Sequence, residues 1–175
     1  MSSVIKVDQI QLADGSTPTA ADLGLNTSGS VIQVQSYAVG SDILTTSTSR
    51  IDSGMEVSIT PRFSSSNFLV RVTCPNAIAS GSASISAAVY RQIGSSGYSI
   101  LFGLAGDAGY DESSTGLYFG ALSAEYLDTT NGNTDVRTYK VQFNNGQSSG
   151  YAYLNSYSGS GTYCKAVMTV MEIAG

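Results

Sequence analysis

Histidine and tryptophan are both missing from this 175-residue chain, and Asp, Glu, Lys and Arg together supply only 12% of it. Without His no Ser-His-Asp triad has its base, and Cys-His nucleophiles and imidazole metal sites fall with it. Two cysteines without partner ligands cannot build a structural zinc site. No GxxxxGK(S/T) or GxGxxG stands between a strand and a helix, so no nucleotide cofactor is expected, and no cofactor of any other kind. Eight scattered basic residues face thirteen acidic ones, a net charge of -5. That balance offers no phosphate-binding surface, so no nucleic-acid partner is expected. No apolar run approaches the ~20 residues that span a bilayer, so membrane insertion is not expected either. The opening MSSVIKVD has no charged n-region followed by an apolar h-region and is not read as a signal peptide.

What the chain does have is turn formers and strand formers. Gly occurs 19 times and Tyr 11 times, with Ser and Thr throughout. Apolar strand formers recur along the whole length, so low charge does not mean disorder here. A chain of this size buries about two-thirds of its unfolded surface, enough for a core without staples. The stretch Gly54–Cys74 gives the pattern most clearly. Met55, Val57 and Ile59 alternate with Glu56, Ser58 and Thr60; Pro61 ends the strand; Ser64–Asn67 turn; Phe68, Val70 and Val72 restart the alternation.

Strands are predicted at Val31–Val39, Ile43–Ile51, Met55–Thr60, Phe68–Thr73, Ala83–Gln92, Tyr98–Ala105, Leu117–Leu127, Val136–Phe143, Tyr151–Asn155 and Lys165–Ile173. Turn residues separate them at Ser53-Gly54, Gly94–Gly97, Asn131–Asn133, Asn144–Gly146 and Gly159–Gly161. About ten antiparallel strands without helices make an all-β sandwich, jelly-roll-like in arrangement. No strict internal repeat supports a β-helix or a propeller.

Residues 1–28 differ from the rest and read as an N-terminal arm and hinge on a β-sandwich of residues 29–175. Val4–Leu12 is one extended arm, Asp14-Gly15 a turn, Thr19–Asp22 a single capped helical turn stopped at Gly24, and Thr27–Ser30 a hinge. The arm either folds against its own domain or docks on a partner through Val4, Ile5, Val7, Ile10 and Leu12.

Several strands lack a wet side. Tyr98, Ile100, Phe102 and Leu104 fill one face of their strand while Leu101 and Ala105 sit on the other. In the last strand Met168 and Val170 face one way, and Val167, Met171 and Ile173 the other. Apolar side chains on both faces of a sheet need a second cover, and a neighbouring copy is the economical one. Tyr151, Tyr153 and Tyr157 on one side of their segment also suit an interface. The expected interface set is therefore Tyr98, Ile100, Phe102, Tyr151, Tyr153, Val167, Met168, Met171 and Ile173.

Cys74 and Cys164 fall in strand regions and are expected as buried reduced thiols; a disulfide requires those strands to be neighbours. Two oxygen-rich loops, Asp107/Asp111/Glu112 and Asp128/Asn131/Asn133/Asp135, carry hard ligands of the kind Ca²⁺ prefers. Neither has EF-hand spacing, and the second has the Asn-Gly of an ordinary hairpin. No catalytic residue is assigned.

The phrase ITPRFSSSNFLVRV resembles the ITP-x-S-x-(S/N)-(hydrophobic)4 signature of small structural proteins of tailed phages, cyanophages especially. GSVIQVQSY at Gly29–Tyr37, YLDTTNGNTDVRTYKVQF at Tyr126–Phe143 and VMTVMEIAG at Val167–Gly175 resemble, in order, the opening, middle and closing strands of C-terminal modules of phage tail fibres and related appendages. The resemblance covers Gly29–Gly175. It implies a non-enzymatic homotrimer in the virion, made and assembled in the host cytoplasm. Such a trimer attaches to other virion proteins through the arm and touches a host surface, a glycan among its candidate ligands. A capsid decoration protein at three-fold positions and a free carbohydrate-binding module are the alternatives.

Overall fold

The computed structural model describes residues 10–18, 28–39, 41–108, 117–155 and 165–175, with the side chains of 107 and 117–119 excepted. Val4, Ile5, Val7, the Thr19–Gly24 turn, Thr27, Asp111, Glu112, Tyr157, Gly159–Gly161 and Cys164 lie outside the described residues.

Among the described residues ten strands run β1 Val31–Val39, β2 Ile43–Thr45, β3 Ile51–Ile59, β4 Asn67–Ser80, β5 Ile85–Ile93, β6 Ser99–Ala108, β7 Leu117–Asp128, β8 Arg137–Asn145, β9 Tyr151–Leu154 and β10 Ala166–Ile173. They form two antiparallel sheets packed as a sandwich. Sheet A follows β1-β10-β4-β9-β2 with β7 also on β4, and sheet B follows β3-β8-β5-β6. β10 and β9 share one edge of β4, because β7 pairs with the same β4 residues from the other side. The chain changes sheets after β2, β3, β4, β6, β7 and β8, which is the crossing habit of a jelly roll.

The core follows from alternation. Met55, Val57 and Ile59 of β3, Phe68, Val70 and Val72 of β4, Tyr139, Val141 and Phe143 of β8, and Met168 and Val170 of β10 are all buried between the sheets. Each such side chain contributes about 1.5–3 kcal/mol by leaving water. Of the described N-terminal residues, Asp14 makes the expected turn, accepting from Ser16 N–H at 2.9 Å.

Three sequence expectations change. Ile43–Ile51 is not one strand. The Thr45 hydroxyl accepts from Ser47 N–H and the Ser47 hydroxyl bonds the Ser49 backbone between β2 and β3, drawing the chain out of the ladder where it changes sheets. Ser53-Gly54 is not a turn but a bulge inside β3, where the register with β8 shifts between Asp52 and Glu56. Gly54 takes φ +74 there, and Ser53 Oγ accepts from Met55 N–H at 3.2 Å. Finally, β4 does not stop at Thr73. It passes through Pro75 by means of a bulge between Cys74 and Ala77, which spares the ladder the missing N–H.

That bulge is held by Asn155, a buried non-glycine residue at φ 60. Its backbone N–H donates to Asn76 O at 2.8 Å. Its Nδ2 donates to Val39 O at 2.8 Å and Ser41 O at 3.2 Å, and its Oδ1 accepts from Ala166 N–H at 2.8 Å. One side chain thereby joins the ends of β1, β9 and β10. The expected hinge at Thr27–Ser30 is anchored where it is described: Gly29 N–H donates to Ala174 O at 2.7 Å, and Ala174 N–H to Ser30 O at 2.9 Å.

Candidate interaction faces

In β10 the even-numbered residues are buried and the odd-numbered ones face out. Register carries that parity across sheet A. Val34, Met171, Leu69 and Leu127 form one apolar row over four strands. The next row is Ser36, Thr169, Arg71 and Glu125, and the third is Ala38, Val167, Thr73 and Ser123. At one end Val31 and Ile173 pair; beyond the β4 bulge Leu44, Tyr153 and Ile78 form a further row, with Tyr151 beside it. Val34 is 50% exposed, Leu127 46% and Leu44 52%, while Met171, Leu69, Val167 and Tyr153 are half-buried. The Tyr151 and Tyr153 rings lie 6.1 Å apart.

The outer face of sheet B has the opposite character. Its rows are Asp52, Gln142 and Ala88; Glu56, Lys140, Tyr90 and Ile100; and Ser58, Thr138 and Gln92. Ser58 and Thr138 hydroxyls lie 2.9 Å apart. Lys140 Nζ sits 2.9 Å from Asp52 Oδ1, and Gln142 Nε2 donates to the same oxygen at 2.7 Å. Partial burial disfavours ionised Asp52, but the bonds from Gln142 and Lys140 outweigh it and hold the carboxyl below its usual value. Tyr98 folds back over this face, its ring centroid 4.0 Å from Lys140 Nζ, and its hydroxyl donates to Glu56 Oε2 at 3.4 Å. Desolvation first, and Glu56's charge second, push its phenol pKa up.

The structure places the residues of the expected interface in four different settings. Val167, Met171, Ile173, Tyr151 and Tyr153 share the outer face of sheet A. Met168 does not belong with them: it is fully buried between the sheets, because its parity is that of Val170. Tyr98 and Ile100 lie on sheet B's outer side, whereas Phe102 does not share their face. Tyr90 pairs with Ile100 and Val89 with Phe102, so Leu101 is an extra residue and the alternation slips. The two-sided apolar pattern of β6 therefore comes from bulges at an edge. Phe102 stacks on Tyr126 with centroids 5.4 Å apart, closing the side of the sandwich where β6 meets β7. Ile10 and Leu12 of the expected docking set are exposed.

Sequence reasoning missed a buried polar group of residues at one end of the core. Asp128, expected in an oxygen-rich loop, is 1% exposed. It accepts from Arg91 at 2.6 Å, Thr130 N–H at 3.0 Å and the Tyr139 hydroxyl at 2.9 Å. Burial, then the Asp128 charge, drives the Tyr139 pKa far above its usual value. Buried Arg137 lies 4.7 Å over the Phe68 ring and donates to Thr130 O and Asp135 O. Buried Glu172 accepts from Gln33 Nε2, Arg62 N–H and Phe63 N–H. Parity is the signal that could have found two of them. Arg137 shares its side with Tyr139 and Val141, and Glu172 shares its side with Met168 and Val170.

Cys74 is a free, buried thiol whose pKa burial raises. Among the described residues no three or more His, Cys, Asp and Glu side chains are placed to hold a metal.

No family model matches the chain, and no curated protein matches it. Among solved structures it is similar to "Structure of infectious bursal disease virus Gx strain", at 13% identity and TM-score 0.35, covering 99% of this chain and 41% of that one. It is also similar to "Crystal structure of infectious bursal disease virus VP2 subviral particle", at 14% identity and TM-score 0.38, covering 98% and 42%. The chain thus spans about two-fifths of the length of those chains.

Proposed function

We propose that this protein is a non-enzymatic virion structural module, a homotrimer of a phage tail-fibre or short appendage that contributes to host attachment. The observation that carries the reading is the outer face of sheet A. β4, with 14 residues, runs about 46 Å, and four strands span about 19 Å, giving a face of roughly 900 Å². A standard protein interface takes about 800 Å² from each partner. Apolar rows at both ends bracket a central cation and anion, Arg71 beside Glu125. Such a face is neutral, and neighbouring copies around a three-fold axis can cover it by setting Arg71 of one copy against Glu125 of the next. The number three comes from the resemblance to phage appendage modules, which also supports residues 1–28 as the attachment to other virion proteins.

Electron microscopy of intact particles carrying a tagged copy tests the placement. We expect label on the tail or its appendages, lost when the chain begins at Gly29. Label over the capsid surface would replace the appendage with a decoration role, and label absent from particles would overturn the virion reading.

A further inference from the structure

Tyr98 is 37% exposed on a mainly polar face, with the apolar Ile100 exposed at its edge. The Lys140 side chain beneath it is only 13% exposed, so the ring is the outermost layer and the ammonium is covered by it. Two strands fix this arrangement. The hydroxyl is held by Glu56 of β3, the ring by Lys140 of β8, and Lys140 in turn by Asp52 of β3, itself tied to Gln142. A tyrosine left free on a wet surface samples many rotamers. This one is fixed flat before anything binds, so little side-chain entropy remains to be lost on binding.

We propose that the open face of Tyr98 is a stacking platform for a neutral pyranose sugar. One side of a pyranose is a flat array of C–H groups that packs on an aromatic face by dispersion, and its hydroxyls project around the rim. The surroundings supply partners for those hydroxyls. Glu56 offers a carboxylate, Gln92 an amide, and Ser58 and Thr138 a hydroxyl pair, all on the same outer face. The sign of the charge narrows the ligand. Lys140 is neutralised by Asp52, while Glu56 remains beside the ring, so uronic or sialic acids and phosphate esters are repelled. An apolar peptide would strip water from these polar groups without replacing their hydrogen bonds. The platform lies on the opposite side of the sandwich from the outer face of sheet A, so sugar binding and self-association are read separately.

The test is a glycan array of neutral and anionic saccharides probed with the full chain, followed by calorimetric titration of the strongest neutral hit. Neutral saccharides should bind, and Tyr98→Ala should weaken them about tenfold or more. Tyr98→Phe, which keeps the ring but loses its bond to Glu56, should weaken binding less than Tyr98→Ala does, and Tyr126→Ala, at the seam between β6 and β7, should change nothing. In the wild-type protein the same sugar should shift the NMR signals of Tyr98, Lys140 and Glu56, a readout that holds even if Tyr98→Ala folds poorly. Binding confined to anionic glycans, undiminished binding by Tyr98→Ala, or shifts clustered elsewhere would overturn the platform. A chain that associates and enters particles yet binds no neutral saccharide would also remove it, leaving the structural role intact.

Discussion

Asp128 has almost no access to water, and its three donors decide what each substitution does. Tyr139→Phe deletes one of them and leaves a buried oxygen short, so a loss of about 1–2 kcal/mol is expected in denaturant unfolding. Asp128→Ala strands Arg91, Thr130 N–H and the Tyr139 hydroxyl together and should lose more, about 3 kcal/mol. Tyr139 also predicts a pH dependence. Its folded-state pKa lies above the unfolded value of 10.0. Stability is therefore untouched below that value and falls as pH rises through it, because the unfolded chain releases a proton that the native state keeps. The phenylalanine variant should lose less stability than wild type between neutral pH and pH about 11. Asn155 gives a second residue-scale expectation. Asn155→Ala removes the side-chain bonds to Val39, Ser41 and Ala166 and leaves a methyl side chain at φ 60. A loss of about 2–4 kcal/mol should follow, with Asn155→Gly slightly milder because glycine accepts that backbone angle.

At the scale of elements, most of the sandwich is legible in the sequence because each face of most strands has one job. Met55–Ile59 and Phe68–Val72 alternate cleanly, and their inward residues are the buried ones. Legibility fails where alternation slips, as at Gly54, Pro75 and Leu101, since a bulge is set by pairing with a distant strand that local pattern does not reveal. It fails again for Asp128, whose polarity suggests a loop although its partner across the ladder is the buried Phe68. For the candidate face, the composition of β10 is readable, but the rows that join it to β1, β4 and β7 exist only once register is known. Parity in β10 also yields a test by contrast. Met168→Glu places a carboxylate in the core and should prevent folding, whereas Met171→Glu places it on the outer face and should leave a folded chain. Circular dichroism and cooperative thermal melts separate the two. If both variants unfold, Met171 is part of the core packing; if both fold, the inward placement of Met168 is wrong.

The whole molecule is a sandwich with two unlike outer faces, one crossed by apolar rows and one by charged and amide side chains. The first carries exposed apolar side chains at both ends of a polar middle, and those ends are what a partner surface would cover. Arg71 and Glu125 at its centre fit a copy of the same surface better than a lipid or an uncharged groove. Sedimentation equilibrium on the purified wild-type chain and on Met171→Glu tests this most directly. We expect the wild type at about three times the chain mass of 18.1 kDa and the folded Met171→Glu variant at the mass of one chain. A wild-type chain that stays monomeric at micromolar concentration, or a Met171→Glu variant that still assembles, would contradict the assignment of sheet A's outer face to self-association.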